Sequence, residues 1–264
     1  MFEAGLDVTS ADLIVGTSAG STAAAQVTNA NPTNLFTDIL AAAPQPQSNA
    51  ARGTSSSGQV SDHLDRRRAL IAASADVAEM RRAIGAEALE ASSMSDMSAQ
   101  WRATVAERLP SRTWPQQRIL ITAVDAHTGN PVVFDRDSGV DLVDAVAASC
   151  SSGFAYEIGE GRYIDGGYRT NADNADLAAG YARVLVLSPF GGKALTPVGW
   201  GMHLTTQVGQ LRANGAMVET IFPGSESEHM FGANAMNFSL RPAAAQSGHK
   251  QGISLAQELT ALWH

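Results

Sequence analysis

Cysteine is all but missing from this chain: Cys150 is the single one in 264 residues. No internal disulfide can form, which excludes the disulfide-stapled scaffolds of small secreted domains. Positive charge is scarce as well. Lys and Arg number 18 against 26 Asp and Glu, for a net charge of -8, and no basic run exceeds Arg66-Arg67-Arg68. A phosphate backbone needs a concentrated basic surface, so nucleic acid is not an expected partner. No run approaches the roughly 20 apolar residues of a membrane span. The opening stretch MFEAGLDVTSAD has neither a basic start nor a long apolar core, so it predicts no signal peptide and a cytoplasmic location. No internal repeat is visible. With 44% hydrophobic residues the chain can bury a substantial core, and residues 1–264 are expected to form one domain.

What is present is organised around residues 13–21, LIVGTSAGS. Leu13-Ile14-Val15 is a short apolar run with two β-branched residues, the pattern of a strand buried on both faces. Gly16-Thr17-Ser18-Ala19-Gly20 follows, a G-x-S-x-G pentapeptide, and then a small, Ala-rich stretch suited to a helix packed close to a sheet. A strand, a tight turn with serine at its apex, and a helix form the context of a nucleophile elbow. Side chains at the two glycines are expected to collide where strand and helix pass. Ser18 would sit at a helix N-terminus, where free N–H groups and the dipole favour developing negative charge.

Beyond this point periodicity is lost in a polar Pro/Gly/Ser stretch, and residues 44–62 read as a flexible loop. Apolar spacing then predicts three helices up to Leu109, ended by Pro110. Residues 118–124 (RILITAV) predict a buried strand, turning through residues 125–131 into a second strand at Val132-Val133-Phe134. A helix is expected over residues 140–148 and a short one over 173–179 closed by Gly180. Val184 to Leu187 and Val218 to Phe222 predict further strands. One helix is expected to carry Trp200, Leu204, Val208 and Leu211, and a last one Ile253 to Leu262. Strands alternating with helices predict an α/β fold, a three-layer α/β/α domain around a mainly parallel central sheet.

Ser18 needs a base, because a serine hydroxyl is a poor nucleophile until a neighbour takes its proton. His203, His229 and His249 lie downstream, so a Ser–His–Asp triad is one arrangement open to the chain. His203 falls inside the expected Trp200–Leu211 helix, which suits a helix-surface histidine better. Asp165 stands in a more telling context, after Tyr163-Ile164 and before Gly166-Gly167, where a strand-end carboxylate can project into a crevice at the sheet edge.

Together, VGTSAGS (residues 15–21) and YIDGG (residues 163–167) resemble the patatin-like phospholipase family. ITAVDAHTG (121–129), AVAASC (145–150) and TNADNADLA (170–178) look like family segments in family order, so the similarity covers most of the chain. The family pairs a G-x-S-x-G serine with the aspartate of a D-G-[GA] motif as a dyad without histidine. The resemblance therefore implies Ser18 as acyl-accepting nucleophile and Asp165 as its base. It implies Ala19, Gly16, Gly20, Gly166 and Gly167 as backbone or oxyanion support. The activity implied is a serine acyl hydrolase of phospholipase A, lysophospholipase or esterase type. The substrate would be a lipid or small ester, with peripheral membrane contact and without metal or cofactor.

Two departures from the family pattern matter. The glycine-rich oxyanion turn that the family carries upstream of its serine has no counterpart in this sequence, so the chain is expected to be an impaired catalyst. At Ser151-Ser152-Gly153-Phe154-Ala155 the usual proline is missing, which changes the expected pocket. Two alternatives therefore stand beside the dyad hydrolase. One is a catalytically impaired patatin-like domain serving lipid or protein binding; the other is a Ser–His–Asp esterase of α/β-hydrolase type.

Overall fold

The computed structural model describes residues 1–42, 56–92, 97–231, 234–235 and 237–263. The fold is three-layered α/β/α. Its main sheet holds β1 (Ile14–Gly16), β2 (Ile119–Asp125), β3 (Pro131–Phe134), β4 (Tyr156–Ile158) and β5 (Gly161–Asp165). The run at residues 118–124, apolar but for Arg118 and Thr122, supplies β2, whose first six residues are buried. Its side chains alternate between two cores, as a pleated strand requires. Ile119, Ile121 and Ala123 pack under α1 (Ala19–Val27), α5 (Met97–Arg108) and α6 (Leu142–Ser149). Val124, with Ile164 of β5, packs under α3 (Ser56–Ala73) and α4 (Val77–Ser92) through Ile71, Met80, Ile84 and Ala88.

The sheet is mixed, which corrects the expected mainly parallel arrangement. β1 and β2 are parallel, whereas β3 and β5 both run antiparallel to β2, and β4 antiparallel to β5. The reason is connection length: the turns between β2 and β3 and between β4 and β5 are too short for a crossover, and a tight turn can only reverse the chain. The turn between β4 and β5 is made by Gly159-Glu160, with Gly159 at φ 57°.

The pairing around β2 positions the site. Ile121 pairs with both Gly16 and Phe134, and Ala123 pairs with both Val132 and Asp165. A strand residue offers one edge to each neighbour, so β3 occupies one edge of β2 while β1 and β5 share the other. Being parallel and antiparallel to β2, β1 and β5 run toward each other. Their carboxyl ends, Gly16 and Asp165, stand opposite Ile121 and Ala123, two residues or about 7 Å apart along β2.

The strands expected near residues 184 and 218 do not join this sheet. β6 (Arg183–Leu187) and β7 (Met217–Ile221) form a separate parallel pair. Val184, Val186 and Val218 face α7 (Leu204–Ala213). Leu185 and Ile221 face α8 (Arg241–Trp263), which also buries Leu6. The N-terminal residues form two 3-10 turns, Phe2–Ala4, closed by Gly5 at φ 83°, and Val8–Ser10, and α2 (Pro32–Ala41) packs beside α8.

Three local expectations change. Of the stretch 44–62 expected as a loop, residues 56–62 are the start of α3, and residues 44–55 lie outside the described residues. The short helix over 173–179 is a 3-10 turn, Ala175–Ala178. The helix expected to contain Trp200 is broken by Gly201 at φ 71°, leaving a 3-10 turn Val198–Trp200 and then α7. His203 is consequently the N-cap residue of α7 rather than a residue on its face.

Candidate active site

The serine turn is strained. Ser18 has φ 51° and ψ -123°, one of two described non-glycine residues with positive φ. Such a conformation persists only when its surroundings over-determine it. Here Gly20 N–H donates to Thr17 O at 2.7 Å, Ser21 N–H to Ser18 O at 2.8 Å, and Ser21 Oγ to Ser18 O at 2.6 Å. The Ser18 N–H donates to Ser149 Oγ at 2.9 Å, tying the turn to the last residue of α6. Ser18 makes no side-chain cap bond to α1, which leaves its hydroxyl free to point elsewhere.

It points at Asp165. Ser18 Oγ donates to Asp165 Oδ2 at 2.7 Å, and Gly167 N–H donates to Oδ1 at 2.8 Å, so both carboxylate oxygens are held. Asp165 is 8% exposed, and this burial pushes its carboxyl from the usual range up to about 6, against the opposing pull of the Gly167 N–H and the Ser18 hydroxyl.

The glycines of the two motifs differ in what they do. A Cβ at Gly16 would stand 2.6 Å from Ser21 Cα, and one at Gly166 would stand 2.1 Å from Thr122 Oγ1 and 2.2 Å from Thr122 O. Both positions exclude any side chain. At Gly20 a Cβ would meet nothing within 4 Å, so the expected collision applies to Gly16 and not to Gly20. Gly167 serves through its N–H. Ala19 begins α1 and is exposed beside Ser18.

The histidines stand apart from this pair. His203 Nε2 is 2.8 Å from Thr196 O, His249 Nε2 is 2.9 Å from Glu3 Oε2 and stacked on Phe36, and His229 is exposed on a 3-10 turn. Cys150 lies with its Sγ 3.6 Å from Ser21 Oγ and 3.8 Å from Thr22 Oγ1, and burial pushes its thiol up to about 11. Among the described residues no group of three or more His, Cys, Asp or Glu is placed to hold a metal ion. A cavity of about 220 Å³ lined by Trp114, Arg118, Ile119, Asp135 and Arg136 lies at the amino end of β2, away from Ser18.

Sequence reasoning missed the polar layer beneath the pair. Thr17 Oγ1 accepts from Thr122 Oγ1 at 3.0 Å and from Asn174 Nδ2 at 2.8 Å, and Asn174 is fully buried. Asn174 lies within TNADNADLA, so its position was visible, but nothing in one chain marks which asparagine turns inward.

Fold and turn together define an α/β protein with a serine at the apex of a strand-to-helix elbow. The patatin-like phospholipase family model matches residues 5–178, and the chain belongs to that family, whose members are generally lipid acyl hydrolases. No curated protein matches the chain. No described helix is long and apolar enough to cross a membrane.

Proposed function

We propose that the chain is a serine acyl hydrolase that cleaves carboxylic esters of lipids through Ser18 and Asp165, by way of an acyl-serine intermediate. The observation that carries this reading is the 2.7 Å hydrogen bond from the Ser18 hydroxyl to a buried carboxylate, at a backbone position under strain. Ser18 Oγ attacks the ester carbonyl carbon while its proton passes to Asp165 Oδ2. The carbonyl oxygen becomes an oxyanion, and its collapse expels the alkoxide, which leaves as the alcohol with that proton. Water then gives a proton to Asp165 and attacks the acyl carbon; the carboxylic acid departs and Ser18 recovers its hydrogen.

An ordinary aspartate is a weak base at neutral pH, and the best base has a pKa near the working pH. Burial moves Asp165 in that direction. The second oxygen is occupied by Gly167 N–H, which leaves Oδ2 aimed at the nucleophile. For the oxyanion, the Ser18 N–H is already engaged with Ser149, so the Ala19 N–H at the start of α1 is the donor assigned from this turn. Lipid as the substrate class is supported by family membership. Leu187, Phe190, Leu195 and Val198, between the end of β6 and the 3-10 turn before α7, each expose an apolar side chain of the kind that peripheral contact with a lipid layer would use.

The test is covalent. A fluorophosphonate probe should label the chain stoichiometrically, and Ser18→Ala should abolish both labelling and hydrolysis of p-nitrophenyl butyrate. Undiminished hydrolysis by folded Ser18→Ala would overturn the reading.

A further inference from the structure

Asn174 lies in the left-handed region at φ 47°, ψ 39° and is fully buried. Asparagine tolerates this conformation better than most residues, though glycine tolerates it best. Its amide nitrogen faces four acceptors: Thr17 Oγ1 at 2.8 Å, Gly166 O at 3.0 Å, Asn171 O at 3.0 Å and Thr122 Oγ1 at 3.3 Å. Thr17 immediately precedes Ser18, and Gly166 immediately follows Asp165. One side chain thus bridges the residue before the serine to the residue after the carboxylate.

The direction of this amide is set by its other end. Asn174 Oδ1 accepts from Thr170 Oγ1 at 2.8 Å and from Arg169 Nη1 at 2.9 Å. A guanidinium can only donate, so a reversed amide would set N–H against N–H there and carbonyl against carbonyl at Gly166 and Asn171. Arg169 is itself fixed by two bonds to Asp176, at 2.9 and 2.8 Å, and Asp176 also accepts from Gln207 Nε2 at 3.0 Å.

We propose that Asn174 is a positioning residue for Ser18 and Asp165: by donating to Thr17 Oγ1 and to the Gly166 carbonyl it sets the separation of the serine turn and the aspartate loop, and Arg169 fixes the direction in which it donates. The proposal rests on the reading of Ser18 as nucleophile and Asp165 as base. The two residues close at 2.7 Å from opposite strand ends, and no backbone pairing joins Thr17 to Gly166 directly. The Asn174 amide supplies that missing link.

The experiment compares Asn174→Gly, which keeps the positive φ available, with Thr17→Val, which removes the acceptor and little volume. Thr17→Ser and Ser18→Ala complete the set, all in the full chain. Hydrolysis of p-nitrophenyl butyrate, the rate of fluorophosphonate labelling and circular dichroism are measured on each. Misplacement by about 1 Å is enough to lower kcat on the order of 10²-fold. That loss is expected in both Asn174→Gly and Thr17→Val, with KM within about twofold, because uniform binding is not what is lost. Labelling should slow in step, Thr17→Ser should retain most of the rate, and the Asn174→Gly/Thr17→Val double variant, made for comparison, should be no worse than Asn174→Gly, which already lacks the bond to Thr17 Oγ1. Folded Asn174→Gly and Thr17→Val with kcat within about threefold of the parent would overturn the proposal. Should Asn174→Gly fail to fold, Thr17→Val decides alone. A Thr17→Ser variant as slow as Thr17→Val would show packing at work and would also overturn it. Full activity in Ser18→Ala overturns the functional reading and this proposal together; an inactive Ser18→Ala beside a fully active Asn174→Gly overturns this proposal only.

Discussion

Ser18 Oγ and Asp165 Oδ2 lie 2.7 Å apart across 147 positions of sequence, at the facing ends of two strands that run toward each other along one edge of β2. Neither strand is long: β1 has three residues and β5 has five. The relationship is therefore held by β2, which both strands read in register, and by the side chains packed beneath the turn.

Asp165→Asn tests the proposed base. The amide keeps an oxygen for Gly167 N–H and nearly the same volume, so the fold should persist while the proton acceptor is lost. Hydrolysis should fall by about 10²–10⁴-fold, the usual contribution of a positioned base. A folded variant with the parent's kcat for a nitrophenyl ester would remove Asp165 from the chemistry.

The pH dependence follows from the same group. The base must be ionised, and burial raises its carboxyl to about 6. The rate should therefore be level above pH 7 and fall roughly tenfold per unit below about pH 6. Stability moves the other way. A carboxyl raised in the folded state binds more protons folded than unfolded, so its contribution is lost as pH climbs from the ordinary aspartate range to about 6. Asp165→Asn should thus be more stable than the parent at pH 8, by on the order of 2–3 kcal/mol, and the gain should vanish below pH 4. Thermal unfolding of both proteins across that range is the measurement.

Two glycines of the motifs should respond oppositely to alanine. At Gly166 the new Cβ would overlap Thr122, so the variant should lose about 3 kcal/mol or more and its activity with it. At Gly20, in the first turn of α1, the Cβ has open space and replaces a poor helix residue, so stability should rise by roughly 0.5–1 kcal/mol. Equal melting temperatures for the two variants would contradict this geometry.

His203→Ala and His249→Ala should each hydrolyse nitrophenyl butyrate at close to the parent rate. Their side chains bond Thr196 O and Glu3 rather than the serine turn. A fall of about 10⁴-fold or more in either would indicate a histidine base and a triad.

How much of this was written along the chain varies with range. The serine turn, β2 and the helices α3 to α6 were legible because each depends on neighbours a few residues away: an apolar run, a Gly-x-Ser-x-Gly turn, a 3.6-residue period. Asp165 could be singled out by its strand end and the two glycines after it, and the resemblance paired it with Ser18. The direction of β5 was not legible, since antiparallel pairing to β2 is decided by how α6 and the β4–β5 turn return the chain. Nor was the separation of β6 and β7 into their own sheet, because an apolar strand looks the same whichever neighbour it pairs with. Asn174 shows the limit most clearly. Its meaning comes from Thr17 and Gly166, 157 and 8 residues away, converging on one buried amide. Local pattern can mark a residue as polar; only folding brings its acceptors together and makes leaving them unpaired costly.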